Sequence, residues 1–586
     1  MNTVKITINN RQYEVPSNYT ILDACRAAQI DVPTLCFLKD INETGACRMC
    51  VVEVEGARNL QASCVTPVRD GMVVKTNTPR VINSQKTTLE LLLANHNIEC
   101  LVCNRNGQCE LQDLAERFQL KEIYFDNYKK REPIYDDASV SIVRDTSKCV
   151  LCGRCVSVCK KQAGMSVLTF INRGFETHVG PAFDEKMEYA GCIYCGQCIN
   201  VCPVDALKEK PHIDIVWDAI NDPKKHVVFQ TAPAVRAAIA EEFGYEIGTG
   251  ATGKMVAAIR RLGVNKVFDT NFAADLTIME EGFELIDRLQ NGGQLPMFTS
   301  CSPGWIRIIE QYYPEFIPNL STCKSPHQML GAIVKSYYAK KMNIDPKDIF
   351  VVSVMPCSCK KSEMHRPEME VNGLRDVDAV LTTREVAKMI KQAGIDFDNL
   401  PDEDFDHPLG EYSGAGVIFG ATGGVMEAAL RTVADVLSNQ DLKEIDYSAV
   451  RGTEGIKEAE IEVAGMKIRV AVAHGGANAK KLLEMIKSGE KEYHFVEIMG
   501  CTGGCVNGGG QPYVNAKKRN SGIDHRKLRA QVLYSEDKSK TVRKSHLNKD
   551  VQKLYEEFLG KPNSHLAHEL LHTHYHSREV FPTQGR

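Results

Sequence analysis

The chain has 586 residues, with 22 Cys, 16 His, 25% charged residues and a formal net charge of −4. That length suggests about three to five domains, and the balanced charge gives no reason to expect nucleic acid as a partner. No apolar run reaches the roughly 18 residues that a membrane span needs. The opening MNTVKITINN lacks both a basic region leading into an apolar core and a twin arginine, so the expected location is cytoplasmic. Thiols there rarely pair as disulfides, so this many cysteines read as metal ligands.

Alternating Val4, Ile6 and Ile8, a turn at Asn9-Asn10, then Tyr13 and Val15 predict a hairpin. Thr20 with Asp23 opens an amphipathic helix by a capping box. Cys36, Cys47, Cys50 and Cys64 follow, with Gly45 and Ala46 letting backbone approach a cluster closely. Soft thiolates at this spread suit a 2Fe–2S centre better than zinc, which usually takes two C-x-x-C knuckles. Cys25, on the preceding helix, reads as a small buried apolar residue.

Residues 84–95 predict a helix, after which His96, Cys100, Cys103 and Cys109 form H-x3-C-x2-C-x5-C. Next, Cys149, Cys152, Cys155 and Cys159 form C-x2-C-x2-C-x3-C. Cys192, Cys195, Cys198 and Cys202 repeat that pattern, with Pro203 behind them. In two-cluster ferredoxins the fourth Cys of each run serves the other cluster. One 4Fe–4S cluster is therefore expected on Cys149, Cys152, Cys155 and Cys202, and another on Cys192, Cys195, Cys198 and Cys159.

The front of the chain resembles the large iron–sulfur subunit of respiratory complex I. The first cysteines match its plant-type 2Fe–2S domain, and the resemblance makes His96 a ligand of a 4Fe–4S cluster with Cys100, Cys103 and Cys109. A neutral imidazole in place of a thiolate should raise that cluster's potential.

From about residue 215 the texture changes. Apolar runs at 226–230, 266–269, 348–355, 416–420, 468–474 and 495–499 alternate with helical patterns. This predicts largely parallel strands in an α/β fold, with a site at their carboxyl ends. Three loops carry the chemistry: Thr299-Ser300-Cys301-Ser302-Pro303-Gly304-Trp305, Met355-Pro356-Cys357-Ser358-Cys359-Lys360-Lys361-Ser362-Glu363, and Glu497-Ile498-Met499-Gly500-Cys501-Thr502-Gly503-Gly504-Cys505 running on to Pro512. Together they resemble the signature loops of the FeFe hydrogenases, and nearly the whole chain resembles the multi-cluster members of that family.

The resemblance implies a multidomain α+β and α/β chain. A β-grasp 2Fe–2S domain would occupy 1–80, a small helical His/Cys cluster domain 81–125, and a two-cluster ferredoxin domain 138–212. The α/β iron hydrogenase catalytic domain would occupy 215–540, and a small-subunit-like helical tail 541–586. It implies one 2Fe–2S cluster, three accessory 4Fe–4S clusters and the H-cluster. The H-cluster is a 4Fe–4S cubane joined through a cysteine sulfur to a two-iron unit with CO, cyanide and a dithiolate amine. Cys357, Cys501 and Cys505 match cubane ligands, Cys505 also the bridge. Lys360 matches the residue that hydrogen-bonds a cyanide, and Met355, Phe419 and Met499 match the apolar wall. Glu281 and Glu284, which share a helix face, match relay glutamates with Ser321 between them and Cys301 nearest the iron.

The family usually has two adjacent cysteines in the first loop, a proton donor and then a ligand. Here they are Cys301 and Ser302, and retained register puts Cys301 at the donor and Ser302 at the ligand position. Ser302 ligating through oxygen, Cys301 shifting to ligate, and Cys323 approaching from a neighbouring loop are the three readings. Cys359 reads as a plain buried thiol near the site.

Gly248-x-Gly250-x-x-Gly253-Lys254 mimics a phosphate loop but follows no clear strand, a weak signal. The tail histidines 565, 568, 572, 574 and 576 read as a terminal helix ending on the surface. The expected activity is 2H⁺ + 2e⁻ ⇌ H₂. The resemblance points to the catalytic subunit of NAD(P)-linked hydrogenases, electron-bifurcating ones included. Expected partners are a flavoprotein subunit, a thioredoxin-like 2Fe–2S subunit, ferredoxin and hydrogenase maturases. An electron-relay or Fe–S assembly protein with an inactive hydrogenase-like domain is the competing reading, carried by Ser302 and opposed by Lys360, Cys505 and both glutamates.

Overall fold

A computed structural model describes residues 2–125, 131–463 and 465–582. The N-terminal hairpin Thr3–Ile8 and Arg11–Pro16 extends into a five-stranded mixed sheet with Val73–Lys75, Val51–Val54 and Gln61–Ala62. Helix Ile21–Ala27 starts at Thr20, whose hydroxyl accepts from the Asp23 amide while Asp23 reaches back, and its Cys25 is fully buried in the core of this sheet. Helix Pro79–Ala94 then runs toward His96.

The following segment builds a second core from Leu89, Leu111, Val158, Ile199 and the cysteines around them. Its two cysteine runs lead into helices Arg154–Lys161 and Gln197–Val201. Each helix is entered through a left-handed glycine, Gly153 or Gly196, a conformation that costs other residues roughly 1–2 kcal/mol.

The second half holds two four-stranded sheets. The first is parallel, in the order Lys266–Asp269, His226–Thr231, Ile349–Met355, Ala379–Thr382. The second runs Met297–Phe298, Phe495–Met499, Met466–His474, Ile456–Val463, parallel except for its last pair. Phe298, Met355 and Met499 each end a strand immediately before a chemistry-bearing loop. The 22-residue helix Thr270–Asn291 packs against the helices Gly414–Ile418, Gly424–Ser438 and Pro326–Ile333.

One expected strand is a helix. The run 416–420 lies largely in the buried helix Gly414–Ile418, capped by the Ser413 hydroxyl on the Ala415 amide. A short continuous apolar run has the same pattern in a buried strand and a buried helix. Here close packing selects the helix, since Gly416 leaves no room for a side chain against the Asn271 backbone. Gly248 and Gly250 precede helix Thr252–Arg260 without a strand immediately before them, and Gly253, in its first turn, packs on Asp402.

Candidate active site

The cysteine runs surround internal space. In the N-terminal domain the Cys50 and Cys64 sulfurs lie 3.3 Å apart, and the Cys36 amide donates to the Cys47 sulfur at 3.4 Å. The Cys47 thiol holds Cys36 at about 6, and the Cys64 thiol holds Cys50 at about 7, which favours the thiolate that binds metal.

His96 is 8% exposed, and its Nδ1 sits 3.0 Å from the Lys148 carbonyl oxygen. Donation there leaves Nε2 with its lone pair, the arrangement metal-bound imidazoles use. Burial lowers its pKa and keeps the ring neutral. Among its companions, Cys103 and Cys109 are half-buried and Cys100 is exposed.

The ferredoxin segment crosses its two runs. One cavity of about 440 Å³ is lined by Cys149, Cys152, Cys155 and Cys202. A second, of about 350 Å³, is lined by Cys159, Cys192, Cys195 and Cys198. The fourth thiol of each run therefore faces the other run's cavity. Arg105 is buried with two guanidinium nitrogens lacking partners, and its charge reaches both Cys109 and Cys202. An orphaned cation between two thiol sets fits anionic clusters on either side. Among the described residues no three or more His, Cys, Asp and Glu converge on a single-ion point; the thiols surround larger voids.

This segment docks on the catalytic half through its second run. The Ser358 hydroxyl donates to the Tyr194 carbonyl at 2.8 Å and the Cys359 thiol to Ile193 at 3.0 Å. Gln197 donates to the Asn507 carbonyl at 2.9 Å, and Asn200 to Gly508 at 3.0 Å. The Cys501 sulfur stands 3.9 Å from the Cys195 carbonyl oxygen.

The three loops enclose a cavity of about 730 Å³ lined by Cys301, Ser302, Met355, Cys357, Lys360, Phe419, Met499, Cys501 and Cys505 among others. The Cys501 thiol donates to Cys357 and holds it at about 7, whereas burial pushes Cys505 up to about 12. Gly500, Gly504 and Gly508 bring bare backbone to the wall. Four thiols, an ammonium and a largely apolar remainder, with Ser302 and His327 among the few polar groups, suit a large sulfur-ligated group with anionic ligands. Ser302 faces this cavity, and its Oγ accepts from the Gly500 amide at 3.0 Å. Cys323 is fully buried outside the cavity lining. Cys359 is 1% exposed beside the cavity.

Lys360 donates from Nζ to the Cys301 carbonyl at 3.0 Å and to Glu363 at 2.8 Å. Burial alone would raise Glu363, but Lys360 and His327 more than offset it and hold the carboxyl at about 2. His327 bonds Glu363 through Nε2 at 2.5 Å and faces the Ser353 hydroxyl through Nδ1 at 2.9 Å. Sequence reasoning passed over both residues. Glu363, one helical turn after Lys360, was open to an i,i+3 reading; His327 carried no local signal.

Behind Cys301, Glu281 is 1% exposed and neither carboxylate oxygen has a hydrogen-bond partner. Burial, then the negative Glu284, push it up to about 8. Burial raises the Cys301 thiol well above its ordinary value, and Glu281 adds to the rise. The Ser321 hydroxyl donates to Glu284 Oε2 at 2.8 Å, and Arg288 holds Oε1 at 2.6 Å. Cys301, Glu281, Ser321 and Glu284 thus lead from the cavity toward the surface. The tail differs from its expected form. His565, His568, His574 and His576 are exposed or half-exposed, but His572 is buried against Glu280.

Comparison with known proteins places each segment. The description "Iron only hydrogenase large subunit, C-terminal domain" matches residues 225–509 and "Iron hydrogenase small subunit" matches 523–578. A 2Fe-2S iron-sulfur cluster binding domain matches 1–79, the NADH-ubiquinone oxidoreductase-G iron-sulfur binding region 85–123, and a 4Fe-4S dicluster domain 148–206. The NADP-reducing hydrogenase subunit HndD of Solidesulfovibrio fructosivorans is 50% identical over 99% of this chain and 100% of its own length. Iron hydrogenase 1 of Clostridium pasteurianum is 48% identical over 97% of this chain and 99% of its own. A solved structure of an FeFe hydrogenase HydA1 variant from Chlamydomonas reinhardtii superposes with a TM-score of 0.57 at 43% identity, covering 63% of this chain and 100% of that one. With relatives this similar over nearly their whole length, and a thiol-lined cavity at the strand ends fed by cysteine-rich domains, the chain belongs to the FeFe hydrogenases and is a hydrogenase enzyme of 2Fe–2S, 4Fe–4S and H-cluster type.

Proposed function

We propose that this chain is the catalytic subunit of a multisubunit, NAD(P)-linked hydrogenase running 2H⁺ + 2e⁻ ⇌ H₂. The observation that carries the reading is the continuity between the crossed ferredoxin cavities and the large cavity. The Cys195 carbonyl meets the Cys501 sulfur where the two halves dock.

The ligand sets are Cys36, Cys47, Cys50 and Cys64 for one 2Fe–2S cluster in a β-grasp domain at 1–80, and His96, Cys100, Cys103 and Cys109 for a 4Fe–4S cluster at 81–125. Two further 4Fe–4S clusters lie at 138–212, on Cys149, Cys152, Cys155 and Cys202 and on Cys192, Cys195, Cys198 and Cys159. In the catalytic domain at 215–540, Cys357, Cys501, Cys505 and Ser302 would hold the cubane of the H-cluster, and Cys505 would also join it to the two-iron unit; residues 541–586 form the small-subunit-like tail. When bound, the H-cluster supplies the open iron site where protons and electrons combine. The chain's own residues do the rest. Lys360, held by Glu363 beside His327, would donate to an anionic ligand of that group. Met355, Phe419 and Met499 exclude water. Cys301 hands protons over from Glu281, which at about 8 is poised to hold and release one near neutral pH. Ser321 and Glu284 pass protons to Glu281.

Electrons enter from a flavoprotein subunit and a thioredoxin-like 2Fe–2S subunit, or from ferredoxin in a bifurcating assembly. The relative HndD is by name an NADP-reducing hydrogenase subunit. Dedicated maturases build the two-iron unit. All 22 cysteines are unpaired, in keeping with a cytoplasmic site, and among the described residues no helix is long and apolar enough to cross a membrane. Co-purification from the native host tests the assembly. The reading expects flavin-containing subunits and NAD(P)H-driven hydrogen evolution, and a fully active lone chain driven by ferredoxin alone would refute the NAD(P) link.

A further inference from the structure

The solvent end of the glutamate path carries a group that the path as described does not use. Glu280 is fully buried beside Glu281, and its carboxylate takes three donors: the Tyr555 hydroxyl, the Asn563 amide at 2.8 Å and His572 Nε2 at 3.0 Å. The other ring nitrogen of His572 lies 2.8 Å from the Thr322 hydroxyl. The amide of Thr322 donates to Glu284 Oε2 at 3.2 Å, alongside Ser321. His568, on the helix His565–Leu571 that ends just before His572, packs its ring at a tilt against His572 with centroids 4.1 Å apart and reaches solvent. The C-terminal segment thus lays an imidazole pair over the outer glutamate.

Chemistry decides what that pair can do. Glu284 is 14% exposed, and its neighbour Arg288 carries a guanidinium, which donates hydrogen bonds and accepts none. Arg288 can orient Glu284 but cannot load it. Imidazole changes charge between about pH 5 and 8. We propose that His568 and His572 form the proton-loading mouth of the Glu284–Ser321–Glu281–Cys301 relay, exchanging protons with bulk water at His568 and passing them to Glu284 across the exposed Thr322 ledge. The proposal rests on the relay reading given above. Each transfer moves one proton from a buffer acid to imidazole and on to carboxylate; no electron moves, and the ring returns to neutral. Glu280 fixes Nε2 of His572 so that Nδ1 faces Thr322. The groups facing the pair are Glu280 and Glu284 from the long helix, Tyr555 behind Glu280, Cys323 from the adjoining loop, and His565 on their own helix. Burial, then His572, lowers His568, and the two glutamates oppose this.

The test is the pH profile of hydrogen evolution by the matured enzyme, from about pH 6 to 9 across the imidazole range, in imidazole and in a bulky buffer too large to enter the mouth. Variants are H568A, which sits on the surface, H572Q and E281Q. E281Q should lose about 100-fold or more at every pH. H572Q and H568A should lose about tenfold, growing as pH rises and bulk protons become scarce, with recovery in imidazole buffer. Profiles matching the unaltered enzyme in both buffers, with E281Q inactive, would overturn the mouth and leave the relay standing. A uniform loss without imidazole recovery would make the pair structural and also overturn it. Full activity in E281Q would remove the relay and the mouth together.

Discussion

Gly196 and Gly509 meet backbone to backbone: a Cβ added at Gly509 would stand 2.6 Å from the Gly196 Cα and 2.5 Å from the Cys195 carbonyl oxygen. The two nearest atoms are backbone, with the Ser358 Oγ next at 2.8 Å, so the ferredoxin segment and the third catalytic loop touch at a distance that glycine alone permits. The contact adjoins Cys195 and Cys501, where the proposed electron path crosses.

Gly509→Ala should therefore separate the two halves. We expect a destabilisation of about 1–3 kcal/mol from overpacking, with slower flash-induced electron transfer from the ferredoxin segment to the catalytic cavity. An unchanged transfer rate in a folded G509A protein would mean that this junction does not set the electron path.

Glu281 gives a pH-dependent signature of its own. Its folded-state pKa, about 8, lies above the ordinary carboxyl value. The folded state therefore holds this proton more tightly than the unfolded chain. The stability it contributes is complete at acid pH and is lost as pH rises toward 8. The difference in unfolding midpoint between Glu281→Gln and the parent should move in the variant's favour across that window. A difference independent of pH would show that the carboxyl is not held neutral.

For His96, substitution by Cys replaces a neutral ligand with an anionic one. Redox titration of His96→Cys should find one 4Fe–4S midpoint shifted downward, and His96→Ala should lose one cubane's worth of iron. Unaltered iron content and potentials in both variants would remove His96 from the ligand set.

Ser302 separates two chemistries in the catalytic cavity. With Ser302 at the ligand position and Cys301 at the donor position, Ser302→Ala should alter the cubane's electron paramagnetic resonance signal. Cys301→Ala should leave that signal intact while hydrogen evolution falls by about 100-fold or more. The reverse pattern would assign the iron to Cys301.

Much of this was legible along the chain because Fe–S ligation is local. Cys149 to Cys159 and Cys192 to Cys202 each fall within one short loop and the helix after it, so spacing alone announces their chemistry, and the three loops carry theirs in contiguous words. Properties that depend on distant chain segments were not legible. Residues 416–420 read as a strand because apolarity is shared by every buried element, and packing against Asn271 decided otherwise. His327 reaches Glu363, the carboxylate that Lys360 also donates to, across the fold, and His572 reaches Glu280 over nearly 300 positions. Nothing in the histidine-rich tail indicates that one of its rings would be buried beside the glutamates.

Infrared spectroscopy of the anaerobically matured protein tests the central claim most directly. Carbon monoxide and cyanide stretching bands that shift under hydrogen, and vanish when Cys505 is replaced by Ser, are the predicted result. Iron-replete front domains with no such bands from the cavity between Cys357 and Cys505, and no hydrogen from reduced viologen, would contradict it.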